Sequence, residues 1–224
     1  MFKTETHMHT AEGSACATAT GVQQAEQYKA LGYDTIIITD HFFNGNTTVP
    51  HDLPWEQRVE LFCKGYENAK CRGDEIGLNV LFGLEYAWQG ADFLTYGIDK
   101  NWLLRNPDIM DISVQEYCDR VHANGGIIVH AHPFREAGYI REMKFLPLYT
   151  DGVEVLNAGN SQGIWDERAK WYAKQYGFTQ TAGSDCHGVG GRFYAVLTNE
   201  EITDISQYCK AVLDGDCSVT NNID

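Results

Sequence analysis

Basic side chains are scarce in this chain: 17 Lys and Arg stand against 31 Asp and Glu, a formal charge of −14. A phosphate backbone or an anionic lipid surface attracts clustered Lys and Arg, so nucleic acid and membrane are not expected partners. A small anionic ligand stays open, because bound divalent cations reverse the local field and surplus carboxylates can hold them. No apolar run approaches a membrane span. The seven cysteines are odd in number and form no C-x-x-C pair, and no signal-peptide pattern opens the chain. Reduced thiols in a cytoplasmic protein are the expectation. Linkers, repeats and low-complexity stretches are also missing. With 224 residues, 43% of them apolar, the chain has enough hydrophobic surface for one domain over 1–224. It carries no signal of oligomeric state.

Apolar, β-branched runs alternate with helical patterns along the whole length. Strands are expected at 2–7, 34–39, 80–83, 93–98, 127–129, 153–156, 178–182 and 194–197. Helices are expected at 22–31, with Gly32 as stop, at 55–71, from the Ser113 cap to about 123, at 165–176 and at 205–213, followed by a polar tail. The Asn44 to Pro54 stretch reads as a loop. Alternation of this kind predicts βα units on a parallel sheet or barrel, with reactive groups at the C-terminal strand ends.

Six of the eight histidines fall in four short clusters: Thr6-His7-Met8-His9, Thr39-Asp40-His41, His130-Ala131-His132-Pro133 and Gly183-Ser184-Asp185-Cys186-His187. On a strand, residues i and i+2 share a face at roughly 6.5 Å, close enough to hold one ion or two adjacent ones. A single H-x-H is weak; four such clusters at strand ends predict a multi-metal site, with His7 and His9 the first ligands. Asp40 and His41 point to opposite faces, so one of them reaches the centre and we take His41. Glu85 follows Leu81-Phe82-Gly83-Leu84, and a carboxylate at that depth needs a cation to offset desolvation. Asp185 and His187 again share a face. Spacing does not rank His130 against His132. His51 and His122 read as ordinary surface histidines. Arg135 and Arg192 are the cations best placed to meet a phosphate. Cys186 to Arg192 also fits the C-x5-R loop of cysteine-based phosphatases, but strand rather than helix follows it and Asp185 opposes a thiolate.

Taken together, H-x-H, T-D-H, G-L-E, A-H-P-F and G-S-D-x-H resemble the PHP (polymerase and histidinol phosphatase) family of metal-dependent phosphoesterases, in that family's order from Phe2 to about Leu197. The resemblance implies an α/β fold, a distorted (β/α)7 barrel with two or three divalent ions (Zn, Mn or Fe, with Mg admissible) at its C-terminal strand ends. It implies His7, His9, Glu85 and Asp185 around one ion, Glu85 and His132 on a second, and His41 and His187 on a third. It favours His132 over His130. Two positions depart from the common pattern: Glu12 stands in for a loop His or Asp after the H-x-H, and Asp92 for a further His.

The expected activity is hydrolysis of a small phosphate ester by metal-activated water, with Arg135, His132 and Asp185 at the reacting group and Arg135 and Arg192 on the phosphate. One alternative is an amidohydrolase-type metal hydrolase, although no strand-end lysine is present to bridge ions as a carbamate. The other is a non-catalytic barrel binding metal or a phospho-ligand.

Overall fold

Four consecutive β-branched residues with no polar alternation, Thr35-Ile36-Ile37-Ile38, make a strand buried on both faces. In the computed structural model, which describes residues 1–221, this is β2 (Thr35–Ile38), lying parallel between β1 (Phe2–Glu5) and β3 (Asn79–Trp88). Burying each isoleucine side chain stabilises by about 1.5–3 kcal/mol. The last three residues of the polar tail lie outside the described residues.

The remaining strands are β4 (Ala91–Tyr96), β5 (Ile127–Ala131), β6 (Gly152–Asn157), β7 (Thr179–Gly183), β8 (Ala195–Thr198) and β9 (Ser218–Thr220). They form one sheet in the order β7-β6-β5-β4-β3-β2-β1-β8-β9, and β7 comes back against β8 and β9, so the sheet is nearly closed and barrel-like. It is mixed rather than wholly parallel. β3 runs on to Trp88, well past the expected Gly83, and turns through Gln89 (φ 52°) and Gly90 (φ 91°) into β4. Two consecutive positive φ angles are the signature of a tight hairpin, which leaves no room for a crossover helix and makes β4 antiparallel to β3 and β5.

The helices are α1 (Gly21–Ala30), α2 (Trp55–Phe62), α3 (Lys64–Ile76), α4 (Lys100–Arg105), α5 (Val114–Ala123), α6 (Gly163–Tyr176) and α7 (Ile205–Asp214). Thr20 and Gln23 form a capping box on α1, and Ser113 caps α5 through the Glu116 amide. The single helix expected over 55–71 is two, broken at buried Cys63, whose ψ of −6° is well off the regular α-helical value of about −42°. Close behind the break, Gly65 lets Thr10 approach: a Cβ there would lie 2.0 Å from Thr10 Oγ1. The short helix α4, capped by Asp99, and the strand β9 carry no strong periodicity and were not expected.

At one end the sheet is closed by backbone bonds between segments that follow strands. The Asp185 amide donates to His7 O (2.7 Å) and the His9 amide to Cys186 O (2.9 Å), so the chain beyond β1 pairs with the chain beyond β7. Beneath, the Tyr96 hydroxyl donates to Thr6 O at 2.7 Å. The histidine clusters meet at this end.

Candidate metal centre

Glu85 sits at the middle of the converging side chains. Its Oε1 lies 3.3 Å from both His7 Nε2 and His132 Nε2, and its Oε2 lies 2.6 Å from His41 Nδ1 and 3.5 Å from His9 Nε2. Asp185 Oδ1 is 3.3 Å from His9 Nε2 and 3.6 Å from His7 Nε2. Three overlapping groups result, each with ligand atoms within 4.8 Å of one another: His7, His9 and Asp185; His7, Glu85 and His132; His9, His41 and His187. Glu85 and His7 are buried, while His41 and His187 are partly open to a cavity of about 620 Å³.

Hydrogen bonding on the far side of each ring decides which nitrogen faces the centre. Ser14 Oγ gives its one proton to Asp40 Oδ1 (2.7 Å), so at 3.0 Å it accepts from His9 Nδ1 and leaves the lone pair of His9 on Nε2. His7 Nδ1 donates to Glu154 Oε1 (2.9 Å), and His187 Nδ1 to Asp185 O (2.9 Å). Their Nε2 atoms also face inward, where each offers a lone pair once its proton is displaced. His7 Nε2 and His9 Nε2 are only 3.3 Å apart, and Glu85 Oε2, though close to His41, makes no hydrogen bond of acceptable geometry. Inward-facing lone pairs beside an unsatisfied buried carboxylate oxygen fit divalent cations held by nitrogen and oxygen.

The electrostatics agree. Burial alone would lower the pKa of His7, but Glu154, Asp185 and Glu85 overrule it and hold the ring well above its ordinary value, so a proton takes the place of a cation. His41 behaves likewise: against burial, Glu85 and Cys16 raise it to about 11. Burial, joined by His41, drives His9 down to about 3. Glu85 and Asp185, which burial would push up, are held well below the usual carboxylate range by His41 and His7 and by His7 and Arg135 respectively.

A second layer shapes the ligands. Glu154 on β6 accepts from His7 Nδ1 with one oxygen and from the His132 amide (2.9 Å) and Asn157 Nδ2 (2.8 Å) with the other. His132 (φ 28°) and Asp185 (φ 51°) have backbones in the left-handed region that non-glycine residues avoid, each held by a hydrogen bond from its amide, to Glu154 Oε2 and to His7 O respectively. Gly183 has no room for a side chain: a Cβ would lie 2.3 Å from His7 Cβ and 2.5 Å from Glu154 Oε1. Gly183→Ala is expected to push His7 and Glu154 apart and weaken metal binding about 10–100-fold, as loss of an outer partner does. Metal titration of the variant checks this.

The structure does not bring every expected residue to the centre. Glu12 turns away, accepting from the Gly21 amide at the start of α1 (3.0 Å) and from Asn68 Nδ2 (2.9 Å), so it is no substitute for a loop ligand. Cys16, four residues on, lines the cavity instead, together with His41 and His187. Burial raises that thiol, but the two imidazoles outweigh it and bring it to about 6. Asp92 lies at the edge, 4.0 Å from His132 Nε2, its pKa pushed up to about 6 by burial and by Glu85. Asp40 faces away and fastens the 10–14 loop through the Thr10 amide and hydroxyl and Ser14 Oγ. His130 points into an aromatic nest with its ring 4.7 Å from that of Phe93, and burial lowers it to about 3.

Arg135 reaches the cavity wall, where Nη2 donates to Asp185 Oδ2 and Asn157 Oδ1 (both 2.7 Å) and Nε to Asn160 Oδ1 (3.0 Å). Arg192 does not join it: its Nη2 donates to the carbonyls of Ala158 (2.5 Å) and Asn160 (2.6 Å), pinning that loop. The C-x5-R segment is likewise no phosphate cradle, since Cys186 Sγ donates to Gly188 O and burial raises its pKa. Glu154 was overlooked in the sequence, although a lone acid inside Val153-Glu154-Val155-Leu156 invites the argument applied to Glu85. Cys16 carried no such signal.

No protein-family model and no curated protein matches the sequence. Solved structures do match in fold. A two-domain protein of Bacteroides vulgatus containing a predicted PHP-like metal-dependent phosphoesterase superposes with a TM-score of 0.72 at 13% identity, over 98% of this chain and 64% of that one. The chain thus spans less than two thirds of that relative. A proposed metal-dependent phosphoesterase from Bifidobacterium adolescentis gives 0.58 at 18% identity, covering 95% of this chain and 96% of its own. An amidohydrolase from Chromobacterium violaceum, with sulfate and no metal bound, gives 0.59 at 14% identity, covering 97% of both chains. The class defined is a barrel of PHP-like architecture with a candidate metal centre at one end. At these identities the likeness is one of fold.

Proposed function

We propose that this chain is a metal-dependent phosphoesterase that hydrolyses a small phosphate ester at a di- or trinuclear centre. The observation that carries the reading is the convergence of His7, His9, His41, His132 and Asp185 on buried Glu85, whose Oε2 lacks a proper hydrogen bond. His7, His9, Glu85 and Asp185 would hold one ion, Glu85 and His132 a second, and His41 and His187 a third, with Zn, Mn or Fe as the candidates. Such ions would supply Lewis acidity toward phosphoryl oxygens and a water acidic enough to attack near neutral pH.

The protein's own groups do the positioning. Glu154 and Ser14 fix the tautomers of His7 and His9. Arg135 holds Asp185 Oδ2, so that Oδ1 faces the two histidines, and sets a guanidinium at the cavity wall where an incoming phosphate would pass. Tyr139 and Asn46 also line the cavity, and its size suits a small ester rather than a polymer.

Chelator treatment is expected to abolish phosphate release, and Zn, Mn, Fe or Mg added back singly to restore it with one or two of them. Phosphatase activity indifferent to stripping would overturn the reading. A panel of phosphate esters run beside amides and cyclic ureas separates it from an amidohydrolase. Full metal content with no turnover on either panel would leave a non-catalytic binding barrel.

A further inference from the structure

We propose that Cys16 is a thiolate ligand at the outer end of the metal centre, joining His41 and His187 on the third ion and making that position select a thiophilic cation such as Zn²⁺, Co²⁺ or Fe²⁺ over Mg²⁺. The inference rests on the metal-centre reading above and deepens it.

His41 and His187 supply two imidazoles, whose nitrogens lie within 4.8 Å of each other and of His9, the ring shared with the first ion's group. The ring of His9 lies 4.2 Å from that of His187 and 4.3 Å from that of His41. Glu85 Oε2, 1% exposed by residue and without a proper hydrogen bond, is aimed into the same space. His41, His187 and Glu85 Oε2 give that ion three donors, while Oε1 of the same carboxylate faces His7 and His132, so a four-coordinate cation there has one position left. A further donor on the cavity side suits the site.

The loop that carries Cys16 is tied to both flanking ligands. On one side the Ala15 amide donates to Asn46 O (2.8 Å), just beyond His41; on the other the Thr18 amide donates to His187 O (2.6 Å). Ser14 Oγ accepts from the His41 amide and from His9 Nδ1, both at 3.0 Å. The thiol therefore sits on a segment fastened to all three histidines and lines the same cavity as His41 and His187. It is the one cysteine among the described residues lining this cavity. Thiolate with imidazole suits Zn²⁺, Co²⁺ and Fe²⁺, whereas Mg²⁺ favours octahedral oxygen ligation.

Cobalt(II) supplies the test, because thiolate ligation gives it a near-ultraviolet charge-transfer band that nitrogen and oxygen ligation do not. The chelator-stripped protein reloaded with Co²⁺ is expected to show that band, and Cys16→Ser to lose it while keeping the visible cobalt bands of the remaining positions. Those visible bands report that the variant is folded and loaded. Zinc titration should show the outermost position weakened about 10–100-fold or more in Cys16→Ser, with Mg²⁺ binding unchanged. A cobalt-loaded parent protein without the band, or a band that persists in Cys16→Ser, overturns the assignment and leaves the metal centre standing. Failure of the parent protein to take up cobalt at all overturns both.

Discussion

Glu85→Gln is expected to lower turnover by at least about 10²–10³-fold, the loss typical when one preorganised charge is removed from an active site, and to reduce the metal retained on purification. Glutamine keeps the shape of the side chain but surrenders the charge that faces His7, His9, His41 and His132 within 3.5 Å. Breaking a buried ion pair usually costs about 3–5 kcal/mol because the other charge is left stranded. Here the stranded partners are imidazoles, which can release their protons, so the ion-free variant should fold and its loss should fall on metal binding. Metal analysis and steady-state phosphate release measure the two effects. A variant with parental metal content and turnover would remove Glu85 from the centre.

Metal affinity is expected to climb steeply with pH, by about tenfold per pH unit for each proton displaced. In the ion-free protein His7 is held well above its ordinary 6.5 and His41 stands at about 11, so near neutrality both carry protons that an incoming cation must expel. Calorimetric titration in buffers of different ionisation enthalpy counts those protons. Ion-free stability should run the other way. Because the folded-state values of His7 and His41 are raised, their stabilisation is complete below about 6.5 and fades as pH climbs through the folded values. Glu85 and Asp185 are depressed, so theirs is present above their ordinary 4.5 and 3.8 and is lost as pH falls through the folded values. The gap in melting temperature between loaded and ion-free protein should therefore widen from mildly acid to alkaline pH. A gap that stays constant would show that cations do not compete with protons for these rings.

Legibility in the sequence followed the range of the interactions. The Ser113 cap and the helix behind it, the buried strand at Thr35–Ile38 and the i, i+2 pairing of His7 with His9 depend on neighbours a few residues apart, and each is found where local chemistry placed it. The hairpin at Gln89-Gly90 was missed because a glutamine at φ 52° carries no turn signal of its own. Glu12 is the first acid after the H-x-H in sequence, yet it bonds to the Gly21 amide and Asn68, and Cys16 lines the cavity. The loop's path is set by bonds from Thr10 and Ser14 to Asp40 and from Thr18 to His187, across 26 to 169 residues of chain.

By itself, then, the sequence determined the kinds of donor, their pairing along each strand and their position at strand ends, since periodicity and side-chain chemistry are properties of short segments. Tertiary structure alone decided that Glu85 is the hub, that Glu154 and Ser14 set the ring tautomers, that Arg135 faces the cavity while Arg192 pins a loop, and that Cys16 lines the cavity while Glu12 turns away. Those choices depend on which remote segments close the barrel, and hydrogen-bond geometry between distant segments exists only once the chain has folded.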